Sequence, residues 1–173
     1  MADSNITKRA LADAMKKLLE EKSFSKVSVA DICEECGMNR KSFYYHFKDK
    51  YDLMNWIFDT EFIQVIQKRD DWEIWDLLKA LCDFFYKNWS FYRKALAVTG
   101  QNSFSEHFHE LLYNSLRANL RQRTGLEKVN EFQAMFFADA FVMAVRRWLL
   151  GESGMKPEEF LDQLKLCTQC VTV

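Results

Sequence analysis

Gly37-Met38-Asn39-Arg40-Lys41-Ser42-Phe43-Tyr44-Tyr45-His46-Phe47-Lys48-Asp49-Lys50 is the stretch whose reading decides the fold. Gly37 is a helix stop, because glycine takes the left-handed conformation at a helix end without a Cβ penalty. Asn39 is a good cap for a new short helix running from Arg40 to about Phe47. Phe43 and Phe47 lie four apart and share one face of that helix, the face that anchors it. The aromatic run 43–47 covers more than one face, so some of Tyr44, Tyr45 and His46 must meet water. Nearby are four cations (Arg40, Lys41, Lys48 and Lys50) against the single acid Asp49. Exposed rings beside cations call for a partner.

Working outward, Ser28-Val29-Ala30-Asp31 reads as a capping box with Asp31 in the Glu position, opening a short helix that Gly37 closes. Ile32 and Cys36 point inward from it, and Met38, Phe43 and Phe47 answer from the turn and the second helix. Short helix, glycine turn and short helix, from Ser28 to Phe47, make a helix-turn-helix. Upstream, Ile6, Ala10, Leu11, Ala14, Met15, Leu18 and Leu19 recur at helical spacing. They predict a first helix from about Asn5 to Lys22, capped by Asp3 or Ser4, with Phe24 and Val27 as apolar anchors after it. Downstream, Asp49 starts a helix with Leu53, Trp56, Ile57, Thr60 and Ile63 on one face.

Beyond residue 70 aromatics become dense: Trp72, Trp75, Phe84, Phe85, Tyr86, Trp89, Phe91 and Tyr92. Helices are expected at about 73–89, 91–100, 104–124, 129–150 and 157–170, separated by Gly100, Gly125 and the Gly151–Gly154 stretch. Pro157 followed by Glu158 and Glu159 is a strong helix start. The expected fold is therefore all-α. A three-helix helix-turn-helix head occupies 1–50, a helix from about 50 to 70 connects, and 71–173 form a helical dimerisation and regulatory bundle.

Composition agrees. One proline and five glycines in 173 residues leave few breaks for a many-turned β fold, and 49% hydrophobic residues suffice for a large core. Residues 1–50 hold ten Lys/Arg against eight Asp/Glu, and the remainder fourteen against seventeen. A basic patch on a near-neutral chain suits a duplex-binding head on a neutral body. Met1–Met15 contain no continuous apolar run of the signal-peptide kind. The longest nearly apolar run, Ala134–Val145, is broken by Asp139 and too short to span a bilayer. Five cysteines, an odd number, show no secreted framework and fit a reduced cytoplasm. No nucleophile–base pair, glycine-rich phosphate loop or metalloprotease spacing occurs, so neither an enzyme nor a cofactor is expected.

A helix that reads duplex DNA needs base-edge donors, phosphate contacts and an apolar back. Arg40 and Lys41 sit at the helix N-terminus, where base contacts concentrate, and Tyr44 follows on the same face. Tyr45, His46 and Lys50 suit backbone phosphates. The stretch from Thr7 to Phe58 then resembles the amino-terminal domain of TetR-family regulators. The resemblance rests on a helix ending before Phe24, Val29-Ala30-Asp31-Ile32, Gly37, Phe43-Tyr44-Tyr45-His46-Phe47, Lys50 and Leu53. It implies base contacts from Arg40, Lys41 and Tyr44, and phosphate contacts from Ser28, Tyr45, His46 and Lys50. Lys41 departs from the pattern, which commonly has a small residue there, so the operator does not carry over. The family's carboxy-terminal body dimerises and often binds a small effector. Asn55-Trp56-Ile57-Phe58, Phe91-Tyr92-Arg93-Lys94-Ala95-Leu96 and Asn102-Ser103-Phe104 resemble a branch that includes activators of dihydroxyacetone kinase operons. Some members of that branch act with a protein co-regulator.

The remaining features carry further expectations. Cys33/Cys36 and Cys167/Cys170 leave open a helical metal-binding or redox protein, although Cys also fills small buried positions. His107 and His109, two apart, diverge on a helix, so a solvated face is expected beside Glu106 and Glu110. Asp139 in its apolar run must pair, protonate or meet a ligand; Arg146 and Arg147, two turns on, are candidates across a dimer. The nearly all-round apolar helix near 129–150, with that near 157–170, is expected to form a four-helix interface with a second copy. The aromatic cluster from Trp75 to Tyr92, with Phe104, Phe108, Tyr113 and Phe132–Phe141, is expected to be mostly core and is the candidate lining for an effector. The expected partners are double-stranded DNA, a second copy, and a small effector or protein co-regulator, with no membrane. A co-regulator that depends on a protein partner is the alternative.

Overall fold

A computed structural model describes residues 2–66, 73–98, 100, 102–124, 131–151 and 154–170. Among them are nine α-helices, one 3-10 turn and no strand. The helices are α1 (Ala2–Glu21), α2 (Val29–Glu35), α3 (Arg40–His46), α4 (Lys50–Ile66), α5 (Ile74–Lys87), α6 (Trp89–Leu96), α7 (Phe104–Thr124), α8 (Glu131–Leu150) and α9 (Pro157–Cys170). Trp72, Gly125, and the side chains of Ile63 and Cys170 lie outside the described residues, as does the expected start of α8 at 129. The all-α expectation holds.

Most helix ends fall where local chemistry puts them. Ser28 and Asp31 form the reciprocal capping box of α2, and the Asn39 side chain accepts from the Ser42 amide at 2.8 Å to cap α3. Gly37, at φ +67°, takes the left-handed turn between them. The Lys156 amide donates to Glu159 at 3.1 Å across the start of α9. Other ends differ from expectation, and α6 stops at Leu96 rather than near residue 100. α1 begins at Ala2, so Asp3 and Ser4 lie inside its first turn rather than before it. α5 ends at Lys87 because the Asn88 amide, Nδ2 to Phe84 O at 2.9 Å, takes up a terminal carbonyl, so α6 starts at Trp89.

The chain separates into two compact units: Met1–Glu61 with Ser90–His107, and Phe62–Trp89 with Phe108–Val173. In the first, α1 packs on α2 and α3 over Leu11, Met15, Leu19, Phe24, Val27, Ile32, Phe43 and Phe47, all buried. Cys33 is buried there and Cys36 only half-buried, the reverse emphasis of the sequence reading. α6 joins this unit through Lys94, whose ammonium binds the Leu19 carbonyl and, at 2.9 Å, that of Glu20 at the end of α1. Tyr92, Phe58 and Phe104 cluster beside it, with ring centroids 5.1–5.9 Å apart.

In the second unit α5 packs on α9. Its core holds Leu81, Cys82, Phe85, Phe108, Ala134, Ala138, Val145, Trp148 and Leu149. The Trp148 ring stacks on Phe160 at 4.5 Å, and its indole N–H donates to the Met155 carbonyl at 2.8 Å, which ties α8 to the entry of α9. α8 buries one side only. Phe132, Met135, Phe136 and Met143, spaced three, four and seven apart, form an exposed apolar stripe.

Candidate nucleic-acid interface

α3 is a single short helix held from behind. Phe43 is fully buried and Phe47 nearly so, with Phe47 packed edge-on against Trp56 at 5.6 Å. Lys8 of α1 lies over both the Phe47 and Trp56 rings, at 5.5 and 5.7 Å. With its back fixed, α3 turns its other residues outward. Arg40 and Lys41 are exposed at its N-terminus, Tyr44 is 52% exposed and Tyr45 83%. The half-buried His46 ring meets Tyr45 edge-on at 4.9 Å. Five of the seven residues singled out in the sequence therefore share one short, rigid element.

Two are committed elsewhere. The Lys50 ammonium points inward, donating to the carbonyls of Phe24 and Val27, each at 2.8 Å, and more weakly to Ser25 at 3.4 Å. It also lies 4.7 Å from the Phe24 ring centroid. Burial lowers its pKa below the usual lysine range, with the charge of Asp31 acting in the other direction. Lys50 thus ties the 3-10 turn Phe24–Lys26 to the start of α4. A phosphate contact from Lys50 would compete with these bonds to three carbonyls more than twenty residues away in sequence. Ser28 gives its hydroxyl proton to Asp31 Oδ2 at 2.6 Å and accepts from the Asp31 amide at 3.1 Å. The hydroxyl and backbone amide of Ser28 hold the Asp31 carboxyl down at about 2.

The N-terminus of α4 is closed as well. Asp49 accepts from the amides of Tyr51 and Asp52 at 2.8 and 2.9 Å, and Asp52 accepts from the Lys48 amide at 2.8 Å. Helix starts that could receive phosphate are thus filled by the chain's own carboxylates at α2 and α4, and by a neutral amide at α3.

The other constellations resolve separately. Burial pushes the thiols of Cys33 and Cys36 up, which keeps them protonated and poor as metal ligands or nucleophiles. Cys82 is pushed up to about 12 for the same reason. Among the described residues no group of three or more His, Cys, Asp or Glu comes together to hold a metal. His107 Nε2 meets Asp59 Oδ1 at 2.7 Å. His109 Nε2 lies 2.9 Å from Asp139 Oδ1, close but not aligned for a hydrogen bond. Asp139 thus has a neighbour of opposite chemistry on α7 within its own chain. The two histidines diverge, as their spacing requires, but each faces a carboxylate instead of water alone. No helix among the described residues is long and apolar enough to cross a membrane.

A buried-backed short helix after a glycine turn, with cations and tyrosines outward, defines a helix-turn-helix protein carrying a helical body. Comparison with known proteins agrees. Residues 11–56 match the model of bacterial regulatory proteins of the tetR family, and residues 71–169 match a transcriptional regulator C-terminal region. The chain belongs to the TetR family of DNA-binding transcriptional regulators. It is 30% identical over 117 residues to the HTH-type dhaKLM operon transcriptional activator DhaS of Lactococcus lactis subsp. lactis (strain IL1403). That match covers 67% of this chain and 61% of the relative, so less than two thirds of the relative's length is spanned. Among solved structures, a TetR transcriptional regulator from Streptococcus agalactiae 2603V superimposes with a TM-score of 0.73 at 22% identity, covering 96% of this chain and 95% of that one. The dihydroxyacetone kinase operon activator DhaS gives 0.66 at 22% identity, covering 96% of each chain. These relatives are regulators, not enzymes.

Proposed function

We propose that the chain acts as a homodimer that sets two copies of α3 into major grooves of a palindromic duplex. The observation that carries this reading is the outward row of Arg40, Lys41, Tyr44 and Tyr45 on a helix whose back is locked by Phe43 and Phe47. Arg40 at the helix start can pair with guanine O6 and N7 together, a contact that discriminates by about 1–3 kcal/mol. Lys41 and Tyr44 flank it on the groove side, Tyr44 with a ring for thymine methyls. Tyr45 and His46 then reach the phosphates. The second copy sits on the exposed stripe of α8, and Leu166 of α9 is exposed as well. Two-fold symmetry places half-site centres about 34–36 Å apart, or a multiple of that. Function divides the chain into a reading head at 1–50 and a dimerising, responsive body at 71–173, controlled by a small effector or a partner protein. An odd number of cysteines suits a reduced cytoplasm.

Selection of bound duplexes from a random pool tests the reading. Arg40→Ala and Tyr44→Ala should each lose about tenfold or more in preference for the selected site. Specific binding undiminished in both variants would remove α3 from the reading role. The likeness to an operon activator makes activation the direction to test first, with a reporter placed behind the selected site.

A further inference from the structure

Within the duplex-binding reading above, on which this rests, we infer that each half-site presents two adjacent guanines on one strand, read by Arg40 and Lys41 together. Each base shows the major groove its own pattern. Adenine is matched by a side-chain amide, cytosine by a carboxylate and guanine by a cation. From Arg40 to His46, α3 carries neither a carboxylate nor an amide. The amide next to it is Asn39, and its oxygen is spent. That oxygen accepts from the Ser42 amide at 2.8 Å and from the Ser42 hydroxyl at 3.2 Å. Both lone pairs are then in use, and Asn39 keeps only its N–H donors. Held this way, it cannot accept from adenine N6 while donating to N7, so the usual adenine match is lost.

What remains at the entry of α3 is a surface of donors. Arg40 and Lys41 are both exposed, and neither side chain has an acceptor. Among the described residues, Lys16, Lys17 and Lys22 of the same unit each meet a carboxylate, whereas Arg40 and Lys41 meet none. Guanine is the base whose major-groove edge carries two acceptors, O6 and N7. Neighbouring Cα atoms stand about 3.8 Å apart, close to the spacing of about 3.4 Å between bases along one strand. Two successive cations can therefore serve two successive guanines. Tyr44 bounds the donor surface, its ring held edge-on to the buried Phe43 at 5.5 Å. Its single hydroxyl cannot make the two-point match that adenine needs. His46, with its ring nitrogens, lies in the last turn of α3, about 9 Å along the axis from Arg40.

Duplexes selected from a random pool should show two adjacent guanines in each half-site. On the winning duplex, 7-deazaguanine at either position removes the N7 acceptor and keeps the base pair. Each such change should weaken the wild-type protein by about tenfold. Arg40→Ala should become indifferent to it at one of the two positions, and Lys41→Ala at the other. Both residues are exposed, so the two variants should keep the wild-type thermal midpoint. A palindromic consensus without adjacent guanines overturns the assignment and leaves the duplex-binding reading standing. Full sensitivity to 7-deazaguanine at both positions in Lys41→Ala also overturns it. Failure of the wild-type protein to select any duplex would instead strike the duplex-binding reading itself, and the base assignment with it.

Discussion

α3 and α8 both leave large rings in water, and the rings differ in kind. On α3 they are Tyr44 and Tyr45, each with a polar tip, set among Arg40, Lys41 and Lys48. On α8 they are Phe132 and Phe136, accompanied by Met135 and Met143, with Asp139 turned to His109. A phenol can leave its ring on a wet, charged surface because its hydroxyl remains hydrogen-bonded. A phenylalanine and methionine stripe has no such handle and gains only by being covered with something equally apolar. The first chemistry suits a polyanion with apolar base edges and the second a protein surface. The backs differ as well: α3 is pinned by two rings at one end, whereas α8 buries a long row from Ala134 to Leu149.

The comparison can be broken at several points, and the largest expected effect is at the pinned back of α3. Phe43→Ala should cost about 3–5 kcal/mol, the range for a buried ring replaced by a void. Denaturant unfolding checks it against Tyr45→Ala, which should change stability by under about 0.5 kcal/mol while weakening duplex binding. Equal costs at the two positions would erase the distinction between back and face.

Next comes α8. Replacing Phe132 and Phe136 together by Ser should weaken self-association by roughly a hundredfold or more, since each covered ring contributes about 1.5–3 kcal/mol. Sedimentation equilibrium measures it, and helical content should persist in the separated chain. A dimer of unchanged strength would mean that the stripe is covered by something else.

Smaller effects sharpen the account of how α3 is held. Gly37→Ala should cost about 1–2 kcal/mol, the price of a Cβ in the left-handed region, although no atom lies within 4 Å of that Cβ. Gly37→Asn, which tolerates the conformation, should cost less. The smallest effect concerns the box at α2. Asp31 has its folded pKa depressed to about 2 from an ordinary 3.8. The stability it contributes is therefore complete above the ordinary carboxylate pKa and disappears as pH falls through about 2. The difference in urea midpoint between wild type and Asp31→Asn should shrink to nothing over that window. A difference that grew on acidification would contradict the sign.

How much of this was legible in the sequence follows from the range of the forces involved. Asn39, Gly37, Pro157 and the Ser28–Asp31 box act within a few residues, so their places were readable and the structure keeps them. The stop of α5 at Asn88 was missed because Asn there competes with the apolar periodicity that runs past it. Asp139 was read toward Arg146 and Arg147 of a second copy, whereas within the chain it meets His109 of α7, a contact that no spacing rule along one helix reaches. The two lysines 48 and 50 are equivalent as sequence, both cations following an aromatic helix. Only the carbonyls of Phe24, Ser25 and Val27, brought beside α4 by the folding of α1 to α3, make one of them structural.

By itself, then, the sequence determined the all-α class, the helix-turn-helix and the residues that α3 offers, since these depend on periodicity, caps and one glycine. Tertiary structure alone decided which of those residues are free to act. Whether a side chain is spent or available depends on which distant backbone groups and rings surround it, and that is set by packing between helices, not by order along the chain.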